Sequence, residues 1–170
     1  MSLKHSILGL LALRAMTGYD LKKAFDGSVA HFWNADQAQI YRTLAKLTEE
    51  KLVTVHVLPQ DGKPDRREHR ITDAGQAELS TWLRSPLPAE ATREPFLARI
   101  FFAGEEEDPE LVREMIANRR AAARERLNAL ESISASGDSL AARLRRATLR
   151  NGIDHLRTEL SWLRDLEKEL

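Results

Sequence analysis

Apolar residues recur at helical spacing in three short segments of the first third of the chain. The first segment predicts a helix from about residue 2 to residue 13. The second follows Thr17 and Asp20, which are spaced as a capping box: the threonine hydroxyl caps backbone N–H groups and the carboxylate reaches back. Asn34 or Asp36 is the candidate cap of the third helix. The apolar positions of the three helices are Leu3, Ile7, Leu10 and Leu11, then Leu21, Ala24 and Phe25, then Ile40, Leu44 and Leu47.

The apolar period then changes from helical to alternating. Valines alternate with other residues over positions 53–58, which predicts a β-strand, and residues 59–65 are rich in turn formers. Residues 66–71 can return as the partner strand of a hairpin. Thr72 then caps a fourth helix that carries Leu79 and Trp82. Three helices, a hairpin and a helix are the element order of a winged helix-turn-helix with a two-stranded hairpin.

Two prolines interrupt the helical pattern at Ser85-Pro86-Leu87-Pro88. Proline lacks the backbone donor and pushes the residue before it out of the helical region, so the fourth helix should end near Arg84. We therefore predict a winged helix-turn-helix domain over residues 1–84, a linker over 85–95 and a helical region for dimerisation or effector binding over 96–170. The expected fold class is mainly α, with α+β character in the N-terminal head.

The chain after the prolines is predicted to form three helices. A short apolar helix should end near Gly104, and Asp108-Pro109 should open a long charged helix that Gly137 and Asp138 end. The apolar positions of this long helix are Leu111, Met115, Ala122, Leu127 and Leu130.

The last helix carries leucines and an isoleucine at alternating spacings of four and three, with Trp162 beside them. That spacing is typical of a seam with another helix, so we predict a homodimer. The alternative is that the seam packs only on the chain's own helices within residues 109–135. The candidate dimerisation residues are Leu149, Ile153, Leu156, Leu160 and Leu163.

The composition of the chain excludes several classes of protein function. The 170 residues include 26 basic and 26 acidic side chains and no cysteine, so disulfides, thiolate zinc sites and cysteine nucleophiles are excluded. The longest apolar run near the start covers residues 7–13, which is too short for a signal peptide or a membrane span. We expect a cytosolic protein with no membrane partner.

Catalytic and metal-binding patterns are absent from the sequence. The five histidines show no paired spacing for a metal, and no glycine loop is suited to phosphate. We therefore expect no enzyme, no metal and no cofactor.

The third helix carries the chemistry of a DNA-reading surface. Opposite its apolar stripe, Ala38 and Ala45 permit close approach to DNA, Arg42 can reach a guanine or a phosphate, and Gln39 can pair with adenine. An ordinary solvated helix face is the equal alternative. The candidate DNA-binding residues on and around this helix are Tyr19, Gln39, Tyr41, Arg42 and Lys46.

The hairpin supplies a second group of cations near its tip. Lys63, Arg66 and Arg67 can hold phosphates across the adjacent minor groove, although Asp65 and Glu68 offset much of their charge. A mixed-charge turn is the alternative, and the position after three capped helices favours a DNA-binding wing.

Several motifs resemble the PadR family of bacterial transcriptional regulators. They follow one another in order and at family spacing over roughly residues 1–83, and residues 96–102 resemble the start of the C-terminal helical region in one branch of the family. The matching motifs are Met1 to Leu11, Thr17-Gly18-Tyr19-Asp20-Leu21, His31-Phe32-Trp33, Gln39-Ile40-Tyr41-Arg42-Thr43-Leu44, Gly62-Lys63-Pro64-Asp65-Arg66-Arg67 and Arg70-Ile71-Thr72-Asp73-Ala74-Gly75.

The resemblance implies a homodimeric repressor of a palindromic double-stranded DNA operator. It makes the third helix the recognition helix and the hairpin the wing, and it places Tyr19 and Tyr41 near the DNA backbone. His69 stands where the family commonly has an aromatic residue, usually tyrosine. A winged-helix module that binds a protein and not DNA is the alternative.

The resemblance also implies a small effector, because family members often respond to aromatic or drug-like ligands. Aromatic residues flank the predicted domain junction, although such a group more often reflects ordinary packing than a ligand pocket. The candidate ligand-pocket residues are Phe32, Trp33, Phe96 and Phe101.

Overall fold

The computed structural model describes residues 3–29, 32–33, 35–59, 62, 65–87, 93–134 and 136–170. The chain divides into two compact units, Met1–Leu87 and Pro88–Leu170. Each unit has its own buried core and is described by itself.

The N-terminal unit has the element order of a winged helix-turn-helix, as the sequence predicts. Its apolar core gathers the inner faces of the first three helices and the start of the hairpin, and Phe25, Ile7 and Ile40 are completely buried in it. The elements are α1 (Leu3–Leu13), β1 (Met16–Thr17), α2 (Gly18–Asp26), α3 (Gln37–Glu49), β2 (Val53–Leu58), β3 (Arg66–Ile71) and α4 (Asp73–Arg84).

The predicted two-stranded hairpin is confirmed as β2 and β3, and a third strand, β1, extends its sheet. β3 lies between β1 and β2 and pairs antiparallel with both, with Met16 opposite His69 and Val53 opposite Ile71. A strand of two residues is too short to show an alternating pattern, so β1 cannot be predicted from hydrophobic periodicity. The added strand attaches the start of α2 to the wing.

Side-chain caps stabilise the first turns of the helices that position the candidate site. The Thr17 hydroxyl accepts the backbone N–H of Asp20 at 3.1 Å, and the Thr72 hydroxyl accepts that of Gly75 at 3.0 Å. Asp36 caps α3 in a capping box, while Asn34, the other candidate, lies outside the described residues. These caps replace hydrogen bonds that the first turn of a helix lacks.

The C-terminal unit is helical and is built around a pair of long antiparallel helices. The Val112, Ile116 and Leu163 side chains form its core together with Ala103. The elements are α5 (Pro95–Ala103), a 3-10 turn (Gly104–Glu106), α6 (Pro109–Glu131) and α7 (Leu140–Glu167).

The predicted apolar positions of α6 agree with its buried face only in part, with Met115 and Leu127 half-buried. Val112, Ile116 and Ala123 are buried, whereas Leu111 and Ala122, one position earlier, are exposed. Apolar residues occupy both faces of this helix, so spacing alone does not choose between them. Packing against α7 selects the face. Of the predicted positions, Leu130 is buried as expected, and α6 ends at Glu131, before Gly137.

The predicted seam on α7 is used in part within the chain itself. Leu163 is completely buried in the core of its own unit, and the other four seam residues are half-buried. At Leu163 the structure therefore follows the alternative of packing on the chain's own helices. The dimerisation role of the seam stays a prediction.

None of the helices in the described part of the chain is long and apolar enough to cross a membrane.

Candidate nucleic-acid interface

The outer face of α3 is exposed and lies opposite its buried stripe. Ile40, Leu44 and Leu47 point into the core, and the side chains expected to face DNA are all on the surface. The burial follows from the spacing of four and three residues, which places the apolar side chains on one side of the helix. The exposed residues are Ala38, Gln39, Tyr41, Arg42, Ala45 and Lys46.

Gln39 has a structural partner that the sequence analysis did not anticipate. Its backbone N–H donates to the Asp36 carboxylate at 2.7 Å, and its amide oxygen accepts the Asp36 backbone N–H at 3.1 Å. Pairing with adenine uses both the amide oxygen and the amide nitrogen. The predicted adenine contact therefore requires the capping bond to Asp36 to open. The capping-box spacing of Asp36 and Gln39 was the signal for this role.

Arg42 and Lys46 form the cationic part of the α3 face. They line a small groove of about 320 Å³ together with Trp33 and Leu3. Lys46 lies 3.8 Å from Glu50, a loose exposed ion pair that costs little to break. Both cations are thus available to an anionic partner.

The wing begins at a turn with one left-handed residue among those described. Gly62 has a φ of 70°, a conformation that glycine adopts without steric cost. Arg66 and Arg67 follow at the start of β3, opposite Leu58 and Val57. Lys63, the third predicted wing cation, lies outside the described residues.

Asp20 connects the wing to the first turn of α2. Its Oδ2 atom accepts the Thr17 hydroxyl at 2.8 Å and the Arg66 guanidinium at 2.9 Å. The Thr17 hydroxyl is the main cause that lowers the pKa of the Asp20 carboxyl, and Arg66 adds to it against partial burial. Arg66 is therefore held by the protein, whereas the sequence analysis assigned it to phosphate alone. No spacing rule links positions this far apart.

A groove of about 700 Å³ runs between α3 and the wing. Tyr19 and Tyr41 line it with 70% and 44% of their surfaces exposed, and Arg67 lies on its wing side. The Tyr41 ring lies directly against Gly18, where a β-carbon would approach it to 2.7 Å. The two predicted tyrosines and a wing arginine therefore share one concave surface.

His69 lies in the same groove at the centre of the sheet. Burial, the largest cause, lowers the pKa of His69; nearby Arg67 acts in the same direction, and a hydrogen bond with the Met16 backbone opposes them. Its Nδ1 atom is buried without a hydrogen-bond partner among the described residues. The imidazole is therefore held neutral near pH 7.

The four predicted pocket aromatics belong to different units. Phe32 and Trp33 are in the N-terminal unit, whereas Phe96 and Phe101 are in the C-terminal unit. Phe96 packs edge-to-face on Trp162, and its groove does not include Phe101. Phe101 is 80% exposed and contacts Phe102. The proposed pocket role of these residues stays a prediction.

Over the described ranges, no group of three or more histidine, cysteine, aspartate or glutamate residues is arranged to hold a metal ion.

An exposed helix face beside a basic wing on a winged helix-turn-helix defines the class of DNA-binding regulators. Residues 7–81 match the transcriptional regulator PadR-like family, and residues 92–170 match the family described as virulence activator alpha C-term. The negative transcriptional regulator PadR of Bacillus subtilis is 31% identical over 143 residues, which are 81% of this chain and 78% of PadR. The chain belongs to the PadR-like family of transcriptional regulators.

A second relative matches about half of the chain. The transcriptional regulator Rv1176c of Mycobacterium tuberculosis is 41% identical over 87 residues, which are 51% of this chain and 46% of that protein. The chain thus spans about half the length of this relative.

Solved structures of related regulators match nearly the whole chain. Bacillus subtilis PadR in complex with operator DNA is 26% identical, with a TM-score of 0.83, covering 99% of this chain and 97% of that one. The same regulator in complex with p-coumaric acid is 25% identical, with a TM-score of 0.72, covering 97% and 92%. The virulence activator AphA of Vibrio cholerae is 29% identical, with a TM-score of 0.76, covering 99% and 97%.

Proposed function

We propose that the protein is a homodimeric repressor that binds a palindromic operator through α3 and the wing. The observation that carries this proposal is the exposed surface of α3. Arg42 and Lys46 line one groove on it, and Tyr41 lines a second groove that also includes the wing arginines. The relative whose structure contains operator DNA supports it over almost the full chain.

In this proposal α3 enters the major groove with its N-terminal half. Ala38 and Ala45 let the backbone approach the bases, and Arg42 contacts a guanine edge or a phosphate. Gln39 serves mainly as the partner of Asp36 in the capping box, because its amide oxygen already accepts the Asp36 backbone N–H. Lys46 and the hydroxyls of Tyr19 and Tyr41 contact the DNA backbone.

The wing holds the flanking phosphates. Arg67 is the main phosphate ligand on β3, because Arg66 is paired with Asp20 and Arg70 is paired with Glu68 at 2.9 Å. Arg66 positions the wing against α2, and Lys63 adds charge near the tip. Neutralising phosphates in this way makes affinity fall with salt.

Residues 1–84 form the DNA-binding domain in this account, and residues 96–170 form the dimerisation and effector region after a linker over 85–95. Two copies are needed because a palindromic operator presents two equivalent half-sites. The half-buried seam residues of α7 contribute to the contact between copies. A regulator that binds operator DNA acts where bacterial DNA lies, in the cytosol.

Release from DNA is proposed to follow the binding of a small molecule to the C-terminal region. A ligand that changes helix packing there changes the spacing of the two α3 helices, which must match a helical turn of DNA or a multiple of it. The relative crystallised with p-coumaric acid supports a small-molecule effector as a class.

A winged-helix module for a protein partner is the second candidate function. Pairing of Arg66 and Arg70 with carboxylates favours it, because these pairs reduce the charge that the described part of the wing offers to DNA. Salt separates the two functions, since phosphate contacts are salt-sensitive and an apolar protein interface is much less so.

The test is fluorescence anisotropy of the full chain with a labelled DNA fragment from upstream of its own coding sequence and a scrambled fragment of equal length. We expect tighter binding to the native fragment, with affinity falling steeply and linearly in log salt. Equal binding to both fragments at every salt concentration, or no binding to either, would overturn the proposal.

A further inference from the structure

The groove between α3 and the wing contains an ionisable ring to which the proposed function assigns no role. His69 of β3 lines this groove together with Val55, the residue opposite it on β2. Met16 of β1 lies opposite His69 on the other side. The ring therefore belongs to the central strand on the sheet side of the groove, where a group that enters the groove meets it.

Charged groups of both signs face His69 across this groove. Arg67 stands two residues earlier on β3 and lines the same groove. Arg66 is held by Asp20 at 2.9 Å. No residue of α1 or α4 is among the described residues that line the groove. The ionisable side chains that line it besides His69 are Tyr19, Tyr41, Glu49, Asp65, Arg66 and Arg67.

A positive charge on the His69 ring has no bonded anion in the described part of the chain. The Nδ1 atom is buried without a hydrogen-bond partner among these residues, and the hydrogen bond of the ring is made with the Met16 backbone. Burial, the largest cause, and the nearby Arg67 both lower the pKa of His69, while the Met16 bond opposes them. The free protein therefore disfavours the imidazolium form.

The same groove has the donors that a DNA phosphate requires. Tyr19 and Tyr41 are 70% and 44% exposed, and Arg67 supplies a guanidinium on the wing side. Hydroxyl and guanidinium groups are common ligands of phosphate oxygens. A phosphate bound to them brings a negative charge into the groove that His69 lines, and a nearby negative charge favours the protonated ring.

We propose that a DNA phosphate in this groove recruits a proton to His69, so that the chain takes up a proton when it binds DNA. The imidazolium then supplies a second positive charge beside Arg67. This proton uptake deepens the proposed function and rests on it, because it makes the same DNA-binding surface sensitive to pH. The complex holds more protons than the free protein, so affinity rises as pH falls between the higher pKa of His69 in the complex and its lower pKa in the free protein.

Proton uptake is measured by calorimetry with a DNA duplex of arbitrary sequence at low salt, because phosphate contacts need no operator. The same titration of the full chain is made at pH 6.8 in PIPES and in Bis-Tris, two buffers whose heats of ionisation differ. The difference in binding enthalpy between the buffers gives the number of protons taken up. We expect about half a proton per bound chain, and the absence of uptake would overturn the proposal.

Neutral substitutions of His69 assign the proton. His69→Phe and His69→Gln should both lose most of the uptake, and the glutamine variant excludes an effect of phenyl packing. His56→Phe is the matched control, because His56 is exposed on β2 opposite Glu68 and is not among the residues that line the groove. Equal losses in the His69 variants and in His56→Phe would refute the assignment.

A carboxylate of the groove is the competing proton acceptor, because a nearby phosphate also favours the protonated form of an acid. Glu49→Gln and Asp65→Asn remove the two carboxylates that line the described part of the groove. Both variants should keep the proton uptake. Uptake that disappears in either of them and persists in His69→Phe would overturn the proposal.

The pH dependence of affinity gives a second readout. By fluorescence anisotropy with the same duplex, the wild-type chain should bind about threefold more tightly at pH 6.5 than at pH 7.5. The two His69 variants should bind almost equally at both values. Wild-type affinity that stays level or falls toward pH 6.5 would contradict the proposal.

The native promoter fragment separates this inference from the proposed function. Proton uptake that depends on His69, without any preference for the native fragment over a scrambled one, would support the inference and refute a sequence-specific repressor. Preference for the native fragment without proton uptake would do the reverse. Failure to bind any duplex would refute both.

Discussion

Asp20 and Arg66 form an ion pair with a distance of 2.9 Å between Oδ2 and Nη2, joining the first turn of α2 to the wing strand β3. Thr17 belongs to the same network, because its hydroxyl donates to the same carboxylate oxygen and its backbone pairs with β3. This ion pair therefore reinforces the link that β1 makes between the helix-turn-helix and the wing.

A double-mutant cycle on Asp20→Asn and Arg66→Gln should give a coupling of about 0.5 kcal/mol in the free energy of unfolding, the size typical of partly exposed pairs. Urea denaturation of the four proteins measures it. The control is the pair of Lys46 on α3 and Glu50 directly after it, which are 3.8 Å apart and should show a smaller coupling. Strict additivity at Asp20 and Arg66 would contradict the contact.

His69 should make the stability of the N-terminal unit depend on pH. Burial lowers the pKa of His69 in the folded protein below its ordinary value of 6.5, so the unfolded chain takes up the proton first as pH falls. The stability that neutral His69 adds to the folded state is complete above about pH 6.5. It is lost as pH falls below that value toward the pKa of His69 in the folded protein. Urea midpoints at pH 7 and pH 5 measure the loss.

His69→Phe should reduce the loss of stability between these two pH values. His56→Phe is the control, because His56 is exposed on the neighbouring strand β2. Arg66, Arg67, Asp65 and Glu49 line the same groove as His69 and are unchanged in both variants. A pH dependence that persists in His69→Phe and disappears in His56→Phe would refute this assignment.

Two glycines should respond to alanine in opposite directions. A β-carbon at Gly75 would collide with the Leu52 carbonyl and approach the Ile71 Cγ1 atom to 2.7 Å, so Gly75→Ala should destabilise the protein by about 1–3 kcal/mol. Gly9 lies within α1 and has open space around its β-carbon position. Gly9→Ala should therefore stabilise by about 0.5–1 kcal/mol. Thermal unfolding of both variants checks the signs, and a shift of the same sign in both would contradict the packing described.

The local signals in the sequence were sufficient for most of the N-terminal fold. Apolar spacing and the caps Thr17, Asp36 and Thr72 placed α2, α3 and α4 correctly, because these features act within a few residues. β1 was not predicted because its strand conformation comes from pairing with β3, which lies far along the chain.

The same limit applies to the site and to the C-terminal unit. The exposed α3 face followed from periodicity, but the engagement of Arg66 by Asp20 is a long-range contact that no spacing predicts. On α6 the sequence offers two apolar faces, and the choice of Val112 and Ile116 is made by α7. Tertiary contacts therefore determine the partner of Arg66 and the buried face of α6, which local sequence patterns do not predict.

Leu163 should be a major source of stability in the C-terminal unit. Its side chain is completely buried against α6, so Leu163→Ala should cost about 2–5 kcal/mol from lost contacts and the cavity left behind. Leu144→Ala on the same helix is the control, because Leu144 is exposed within the chain. Chemical denaturation followed by tryptophan fluorescence compares the two variants, and equal losses would show that Leu163 does not belong to the core.

The most direct test of the central claim compares Arg42→Ala with the wild-type chain on native and scrambled promoter fragments by anisotropy. If α3 reads bases through Arg42, the native fragment should lose about 1–3 kcal/mol of binding free energy, and the scrambled fragment much less. Arg99→Ala, an exposed arginine on α5, is the control. Native-fragment affinity that is unchanged in Arg42→Ala would contradict the claim that this face of α3 recognises the operator.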